Sequence, residues 1–359
     1  MTGGPSSHNM PIQCDVLLVG AGPIGIECAI ALKEAAVDFY HVERGSLAAT
    51  IEWYAPGTTF FSSSDRIALA GVPLYTANQA KATREEYLLY LRSLVTQFQL
   101  RINLQTEVLR VERSGSFFEA LVRSAGVERI VKAKKIILAI GDMHHPRLLN
   151  VPGEVLPHVS HYLEEPHSYF HQEVVIVGGK NSAIEAAIRL ERVGAHVTLV
   201  YRGKEFDQKR IKYWLYPELL YLIRQKKITV YLETHLQEIY PEDVVLHSSV
   251  AREGQGEVFR QRAERVLLLT GYEQEKGLFE SLGLTVEGEE KRPVLNQKTM
   301  ESSIADVFVI GTAIAGTQTG GVKEFIETSH VHVERVVQAI SGQKPLYSGR
   351  DIDPEFLEN

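Results

Sequence analysis

Three glycines with the spacing Gly-x-Gly-x-x-Gly, namely Gly20, Gly22 and Gly25, separate an apolar run from a stretch rich in alanine and leucine. Glycines at this spacing allow a tight turn and let backbone N–H groups approach the pyrophosphate of a dinucleotide. Glu43 follows about 20 residues later, where a carboxylate can accept hydrogen bonds from ribose hydroxyls. Because this carboxylate would repel a 2′-phosphate, the motif predicts FAD or NAD rather than NADP. The alternative is a glycine turn that serves packing alone.

A second turn, Gly178-Gly-Lys180-Asn-Ser-Ala183, has a lysine where the middle glycine of the first motif stands. Arg202 occupies the position that corresponds to Glu43, and residues 202–227 contain eight basic and three acidic residues. A guanidinium suits an adenosine 2′-phosphate, so the second nucleotide is interpreted as NADPH. The basic residues predicted to assist Arg202 are Lys204, Lys209 and Arg210. Alternatively, these basic residues only form a solvated face of a helix.

Both turns stand inside a strand–helix–strand pattern. The predicted elements are strands at 15–20 and 38–43 around a helix at 29–36, and strands at 173–178 and 195–201 around a helix at 182–193. Apolar runs that end in Gly141, Gly271 and Gly311 predict three more buried strands, and a helix is predicted at about 322–340. Two such openings predict an α/β protein with two Rossmann-like dinucleotide-binding domains.

The repeated pattern predicts a discontinuous FAD domain into which an NADPH domain is inserted. The predicted order is a flexible tail at 1–13, the first FAD-domain segment at 14–167, the NADPH domain at 168–271, the second FAD-domain segment at 272–345 and a C-terminal tail at 346–359.

Composition excludes several classes of protein. Two cysteines, Cys14 and Cys28, are too few for a disulfide-stapled fold or a cysteine-based metal site, and their spacing excludes a Cys-x-x-Cys pair. A net charge of −7 argues against a nucleic-acid partner. With no targeting signal and no uninterrupted apolar span, we expect no membrane partner and a cytoplasmic location.

Histidines are crowded into the proline-flanked stretch at 158–171, but the irregular chain expected there argues against a metal site. His330 and His332 are two apart on a predicted helix and therefore lie on different faces, where a surface or core role is expected. Trp53 is expected either to cover a cofactor or to pack in the core.

Five short segments make the chain resemble two-domain flavoproteins and, more specifically, the thioredoxin-reductase-like bacillithiol disulfide reductase family. These are Thr-Phe-Phe-Ser-Ser-Ser at 59–64, Gly-Gly-Lys-Asn-Ser-Ala at 178–183, Val-Tyr-Arg-Gly at 200–203, Thr-Gly-Tyr at 270–272 and Phe-Ile-Glu at 325–327. The likeness runs from about residue 14 to residue 342.

The resemblance implies FAD in the first domain and NADPH in the second. It also implies hydroxyls of residues 62–64 near the flavin, and a helix N-terminus after Gly311 at the pyrimidine end of the ring, where its dipole stabilises reduced flavin. Thr312 stands where thioredoxin reductases usually have an aspartate. The implied FAD-site residues are Gly20, Gly22, Pro23, Ile24, Gly25, Glu43, Arg44, Ser62, Ser63, Gly141, Gly311, Thr312 and Lys323. The implied NADPH-site residues are Gly178, Gly179, Lys180, Asn181, Ser182, Arg202, Lys204 and Gly271.

The chain departs from the resemblance in its sulfur. The family's first loop typically reads Gly-x-Gly-Pro-Cys-Gly, and Ile24 replaces that cysteine here. Residues 162–169, where thioredoxin reductases carry their dithiol, contain no cysteine, and Cys28 is expected to pack in the core.

The implied reaction is hydride transfer from NADPH to FAD, which needs no catalytic side chain, followed by electron transfer to an external acceptor. The resemblance favours a low-molecular-weight thiol disulfide, while a quinone or a small electron-carrier protein is equally compatible with the residues. Dioxygen would instead make the chain an NADPH-dependent flavin monooxygenase, and a nucleotide-binding redox sensor is a third interpretation. A homo-oligomer is implied by the family alone.

Overall fold

The structure is a computed structural model and describes residues 11–252, 255–318 and 323–347. Most of the two predicted tails, and some of the loop before Lys323, therefore lie outside the described residues. The N-terminal tail was predicted to extend through residue 13, yet Ile12 and Gln13 already pair with Val131 and Lys132 in a parallel strand ladder. Apolar Ile12 extends the buried strand in this direction.

The described residues form both helices and strands. The helices are α1 (Pro23–Glu34), α2 (Ala49–Glu52), α3 (Arg84–Gln97), α4 (Asn181–Arg192), α5 (Leu215–Arg224), α6 (Gly277–Leu282) and α7 (Ile326–Ser341). The strands are β1 (Ile12–Val19), β2 (Phe39–Val42), β3 (Ile102–Asn103), β4 (Thr106–Ser114), β5 (Phe117–Ser124), β6 (Val127–Leu138), β7 (His145–Pro146), β8 (Val159–Ser160), β9 (Glu173–Val177), β10 (His196–Val200), β11 (Ile228–Tyr231), β12 (Thr234–Ile239), β13 (Asp243–Arg252), β14 (Gln255–Arg262), β15 (Arg265–Leu268), β16 (Tyr272–Glu273), β17 (Val286–Glu287), β18 (Arg292–Pro293) and β19 (Val307–Val309).

Two predicted helices begin elsewhere in the structure. The first begins at Pro23 rather than at Ala29, because proline fits the first helical position, where no intrahelical N–H bond is lost. The last begins at Ile326 rather than at about 322, after Phe325 in an extended conformation. The hydroxyl of Thr328 accepts a hydrogen bond from the Phe325 backbone N–H at 2.9 Å and so closes the first turn.

The chain divides into two compact units. Unit 2 consists of Trp53–Thr58 and Pro146–Gly271, and unit 1 contains the other described residues. Unit 2 thus begins earlier than the predicted boundary after residue 167. Residues 146–167 pack there because β8 is hydrogen-bonded to β15 in the sheet of that unit.

Unit 1 contains a mixed sheet with the strand order β3-β2-β1-β6-β5-β4, and β19 also pairs with β6. The C-terminal half of β6 runs parallel to β1 and β19, while its N-terminal half is antiparallel to β5. Leu17 and Leu18 of β1 are fully buried, and burying each side chain contributes about 2 kcal/mol. The chain runs from β1 outward to β2 and β3 on one side, and β6 lies on the other side. The strand order therefore reverses between β1 and β6.

Unit 2 contains a fully parallel sheet with the order β11-β10-β9-β15-β8 and a separate antiparallel sheet formed by β12, β13 and β14. Helix α4 lies between β9 and β10 in the chain, and its apolar residues form one core cluster with those two strands. The strand order reverses between β9 and β15. The predicted α/β class with two Rossmann-like domains is confirmed, although the sheet of unit 1 is mixed and only that of unit 2 is fully parallel.

Candidate functional site

The turn between β1 and α1 is packed so closely that two of its glycines admit no side chain. A Cβ on Gly20, whose φ is +102°, would lie 2.4 Å from the Ala139 carbonyl oxygen, and one on Gly25 would lie 2.0 Å from the Gly20 carbonyl oxygen. Apart from its neighbours along the chain, no described residue comes within 4 Å of the Cβ position of Gly22. The middle glycine therefore faces open space at the edge of the sheet.

Helix α1 points its N-terminus at this open space. Among the described residues no side chain caps the helix at Gly22, and Pro23 takes the first helical position. Uncapped backbone N–H groups at a helix N-terminus, together with the helix dipole, favour an anion. The residues present thus fit the pyrophosphate of a dinucleotide.

Two side chains from β2 and its end support this turn. Glu43 accepts hydrogen bonds from the backbone N–H groups of Ala21 at 2.7 Å and Gly45 at 2.9 Å. The buried His41 ring places Nε2 2.9 Å from the Gly20 carbonyl oxygen, and burial lowers the pKa of His41 to about 4. The ring is neutral at pH 7 and donates through Nε2. Sequence reasoning missed His41, which lies in a strand otherwise read only for its apolar pattern.

Two further glycine turns meet the first at the same edge of the sheet. Gly141 follows β6 with φ +76°, and Gly311 follows β19 with φ +71°. A Cβ on Gly311 would lie 3.4 Å from the Cβ of Ile24, whose side chain is only 6% exposed. Ile24, which replaces the cysteine of the resembled family, therefore packs its side chain from the first turn of α1 against the Gly311 turn.

The predicted serine and threonine positions make contacts within unit 1. Ser62 is buried and its hydroxyl donates to the carboxylate of Glu327, in the first turn of α7. The backbone carbonyl of Ser63 accepts the Arg66 N–H at 3.1 Å. The Thr312 hydroxyl lies beside the Gly141 turn, 3.8 Å from the Cβ position of Gly141. Ser62 therefore lies beside the N-terminus of α7.

Two predicted FAD-site residues lie on the surface instead. Arg44 forms an ion pair with Glu275 at 2.6 Å, with side chains 41% and 46% exposed. Lys323 is exposed, and its backbone N–H donates to Gln318 at 2.6 Å. Arg44 thus pairs with a carboxylate of its own unit, and the Lys323 side chain is exposed to solvent.

The second glycine turn is shaped by an aromatic ring. A Cβ on Gly179 would lie 2.3 Å from the ring of Tyr201, and one on Gly203 would lie 2.5 Å from the same ring. Tyr201 stacks on Phe206 with ring centroids 5.3 Å apart. Glycine is therefore required on both sides of Tyr201, and the ring fixes the end of β10 beside the turn.

Basic side chains gather around Lys180, which precedes α4 and has no side-chain capping bond among the described residues. Burial lowers the pKa of Lys180, and the positive charges of Arg210, Arg147 and Arg202 lower it further. Asp207 is the opposing charge, and it pairs with Arg210 at 3.2 Å. Cations held together at a helix N-terminus are stabilised by an anion. These residues fit the phosphates of a second dinucleotide.

Arg147 was missed by sequence reasoning. Its backbone N–H donates to the Gly271 carbonyl at 2.9 Å, and its carbonyl accepts from the Thr270 hydroxyl at 2.7 Å. These bonds hold it at the end of β15, next to β9 in the sheet. No local pattern signals this return of the chain to the sheet edge.

The other predicted residues of unit 2 differ in position. The Asn181 side-chain oxygen accepts the Lys212 backbone N–H at 2.8 Å and so supports the neighbouring loop. Ser182, Lys204 and Lys209 are exposed, as are Lys180, Arg202 and Arg210. Gly271 has φ +104°, and apart from its chain neighbours no described residue comes within 4 Å of its Cβ position, so its conformation favours glycine beside open space.

Neither cysteine is a reactive thiol. Cys28 is 0% exposed and Cys14 is buried, and burial raises the pKa of Cys14 to about 12 and that of Cys28 further. The thiolate is the nucleophilic form, so both are inert at neutral pH. The predicted core position of Cys28 is confirmed. Among the described residues no cluster of His, Cys, Asp or Glu has the arrangement of a metal site.

The singled-out histidines and Trp53 have structural contacts. His330 lies with Nδ1 2.7 Å from the Glu27 carboxylate and Nε2 2.9 Å from the Arg66 carbonyl oxygen. His332 is buried, and burial lowers its pKa to about 4. The Trp53 ring packs on Tyr162 with centroids 5.4 Å apart, in unit 2.

Within the described residues, no helix combines the length and the apolar character needed to cross a bilayer. The sequence profile of the pyridine nucleotide-disulphide oxidoreductases matches residues 17–311. The chain is 33% identical to bacilliredoxin reductase of Bacillus subtilis over 92% of its own length and 98% of that protein. A ferredoxin–NADP reductase of Ignicoccus hospitalis is 24% identical, with 83% of this chain and 89% of that protein covered.

Among solved structures, the bacillithiol disulfide reductase of Bacillus cereus superposes with a TM-score of 0.85 at 31% identity, covering 92% of this chain and 99% of that one. Both this identity and the full-length coverage extend the match beyond a shared fold. The chain therefore belongs to the pyridine nucleotide-disulphide oxidoreductases, and within them to the thioredoxin-reductase-like bacillithiol disulfide reductase family of flavoprotein enzymes.

Proposed function

We propose that the enzyme transfers hydride from NADPH to FAD and delivers the electrons to an external low-molecular-weight thiol disulfide. The observation that carries the proposal is the pair of glycine turns with opposite charges beside them. Glu43 is fixed at the first turn, whereas Arg202 and Lys180 belong to a group of cations at the second. The relative named a bacillithiol disulfide reductase supports this choice of acceptor, whereas the name bacilliredoxin reductase fits the alternative of a small redox protein.

In unit 1, the residues that would hold FAD are those of the three converging glycine turns. The uncapped N-terminus of α1 would bind the pyrophosphate, over the open space at Gly22. Glu43 would accept hydrogen bonds from the adenosine ribose. The N-terminus of α7, beside Ser62 and Glu327, would face the pyrimidine end of the ring.

In unit 2, the cations would divide between the phosphates of NADPH. Arg202 follows β10, where a 2′-phosphate lies in this class of fold, and its guanidinium can bind that group through two N–H donors. Lys180 and Arg147 stand at the ends of β9 and β15, the reversal point of the sheet, and would bind the pyrophosphate. A bound phosphate also relieves the mutual repulsion of these cations.

Bound FAD supplies the group that accepts the hydride and later releases the electrons. The chain contributes position: it holds the nucleotides at two helix N-termini and seals the first turn with the buried side chain of Ile24. The chain has only two cysteines, and both are buried with raised pKa values. No internal dithiol is available, so the acceptor is external to the chain.

The test is an anaerobic titration of the FAD-loaded protein with NADPH, followed by addition of one oxidant at a time. We expect NADPH to bleach the flavin absorbance, and oxidised low-molecular-weight thiols to restore it faster than quinones, ferredoxin-type carriers or dioxygen. A flavin that NADPH fails to bleach contradicts the proposal. If a quinone or a carrier protein restores the flavin absorbance faster, that compound and not a thiol disulfide is the acceptor. An oxygenated organic product would indicate a monooxygenase.

Two properties stay predictions. We propose a cytoplasmic location, which the two free, buried cysteines fit, and a homo-oligomer from the resemblance alone. Sedimentation of the FAD-loaded protein measures the second directly.

A further inference from the structure

A carboxylate that the sequence motifs do not include lies where the glycine turns of unit 1 meet. Asp142 directly follows Gly141, and its Oδ2 accepts a hydrogen bond from the Gln318 side-chain amide at 2.8 Å. The Thr312 hydroxyl lies 3.8 Å from the Cβ position of Gly141, the residue before Asp142. Asp142 thus joins the turn after β6 to the turn after β19.

The position of Asp142 in the fold is a ligand-binding position. Strand order in unit 1 reverses between β1 and β6, and ligands of open α/β sheets bind in the crevice at the carboxyl ends of the strands at such a reversal. Asp142 follows the carboxyl end of β6. Three residues before it, the Ala139 carbonyl packs directly against Gly20 of the first glycine turn.

Among the described residues no ion pair is formed by Asp142. Burial raises the pKa of its carboxyl group, although Thr312, Gln318, its own backbone N–H and the charge of Lys276 oppose the shift. Lys276 itself hydrogen-bonds to the Gln274 side chain and to the Lys291 carbonyl. A carboxylate has about four acceptor sites, and the bond from the Gln318 side chain leaves capacity for another donor.

We propose that Asp142 is a cofactor-binding residue that accepts a hydrogen bond from the ribityl chain of FAD. The inference rests on the proposed function, since it requires FAD at the glycine turns of unit 1. The pyrophosphate of FAD would bind at the N-terminus of α1, and the adenosine ribose would bind at Glu43. Glu43 follows β2 and Asp142 follows β6, so the two carboxylates lie on opposite sides of β1 in the sheet. A carboxylate would repel the pyrophosphate, whereas the polyol between pyrophosphate and flavin ring donates hydroxyl groups. The ribityl chain therefore matches Asp142 in charge and in position.

The experiment compares binding of FAD and of ADP to apoprotein, because ADP contains the adenosine and pyrophosphate but no ribityl chain. For Asp142→Asn we expect the Kd for FAD to rise about tenfold, the loss of one charge-assisted hydrogen bond, with the Kd for ADP unchanged. The absorbance maxima of the bound flavin should stay as in the wild type, because the ring is not contacted. Asp38→Asn, an exposed carboxylate of the same unit, is the matched control and should change neither Kd.

Each other outcome overturns the inference. An unchanged Kd for FAD means that Asp142 does not contact the cofactor. An equal loss for FAD and ADP, or a lower melting temperature of the apoprotein, assigns Asp142 to loop structure. A shift of the flavin absorbance places the contact at the ring. Failure of the wild-type protein to bind FAD refutes the proposed function itself, and is seen before any variant is measured.

Discussion

The glycine turns that follow β1 in unit 1 and β9 in unit 2, here called the first and second cradle, share one topology and differ in the groups that support them. Both turns join a buried parallel strand to an uncapped helix at a reversal of strand order. The turn of unit 1 is supported by a neutral histidine, His41, and a carboxylate, Glu43. The turn of unit 2 is surrounded by cations around Lys180. On the proposed function, the topology would determine where a dinucleotide binds, and the charges beside the turn would determine which one.

The strongest test of the first cradle separates packing from binding at two glycines of one turn. Gly25→Ala would force a Cβ to 2.0 Å from the Gly20 carbonyl, and we expect a destabilisation of about 3 kcal/mol or more. Gly22→Ala meets no atom within 4 Å, and its φ of −72° suits alanine. The apoprotein should keep its melting temperature while its affinity for FAD falls, because the methyl group enters the cradle. Equal melting temperatures for the two variants would contradict this packing.

Acid should lower the free energy of unfolding through the cradle of unit 1, because the buried His41 is neutral in the folded protein. The folded pKa of His41 is about 4, below the usual 6.5, so the unfolded chain binds more protons between these values. The free energy of unfolding should fall by about 3 kcal/mol as the pH drops from 6.5 to 4 through this group alone. His144 and His332, with pKa values of about 4 from burial, add in the same direction.

The measurement is urea unfolding of the wild type and of His41→Gln across this range. Glutamine keeps a donor for the Gly20 carbonyl and does not titrate, so the variant should show a shallower pH dependence. Identical slopes would mean that His41 is accessible to protons in the folded state.

Local pattern was sufficient for the centre of each cradle and insufficient for its surroundings. The apolar runs that became β1 and β9, and the glycines after them, were readable because a buried parallel strand is continuously apolar. The start of α1 was missed although Pro23 at the first helical position is itself a signal. Arg147, Asp142 and His41 could not be found, because each reaches its turn through sheet pairing or a returning loop, and neither leaves a periodic trace in the sequence.

Removing the guanidinium of the second cradle should change the preference between nicotinamide nucleotides. For Arg202→Ala we expect the Kd for NADPH to rise at least tenfold while that for NADH changes little, because NADH lacks the 2′-phosphate. Arg224→Ala, an exposed arginine on α5 of the same unit, carries the same change in net charge and should affect neither. Equal effects of Arg202→Ala on both nucleotides would remove the 2′-phosphate from the interpretation.

Restoring the cysteine of the family tests whether position 24 still offers thiol chemistry. Ile24→Cys places a thiol in the first turn of α1, where the helix N-terminus lowers its pKa, at a cost of about 1 kcal/mol in packing. We expect the reduced enzyme to be reoxidised severalfold faster by an oxidised low-molecular-weight thiol, with bleaching by NADPH unchanged. Ile24→Ser, similar in size without sulfur, is the control. A rate equal to that of Ile24→Ser would show that the packed site excludes the disulfide.

The smallest effect is expected at Arg44, which the resemblance places among FAD ligands and the structure pairs with Glu275. Both side chains are more than 40% exposed, and an exposed ion pair contributes less than about 1 kcal/mol. Arg44→Ala should leave the Kd for FAD within about twofold of the wild type, and Glu275→Ala should match it. If Arg44→Ala alone weakens FAD binding, the arginine contacts the nucleotide when FAD is bound. The charge that distinguishes the first cradle would then include a cation, as it does in the second.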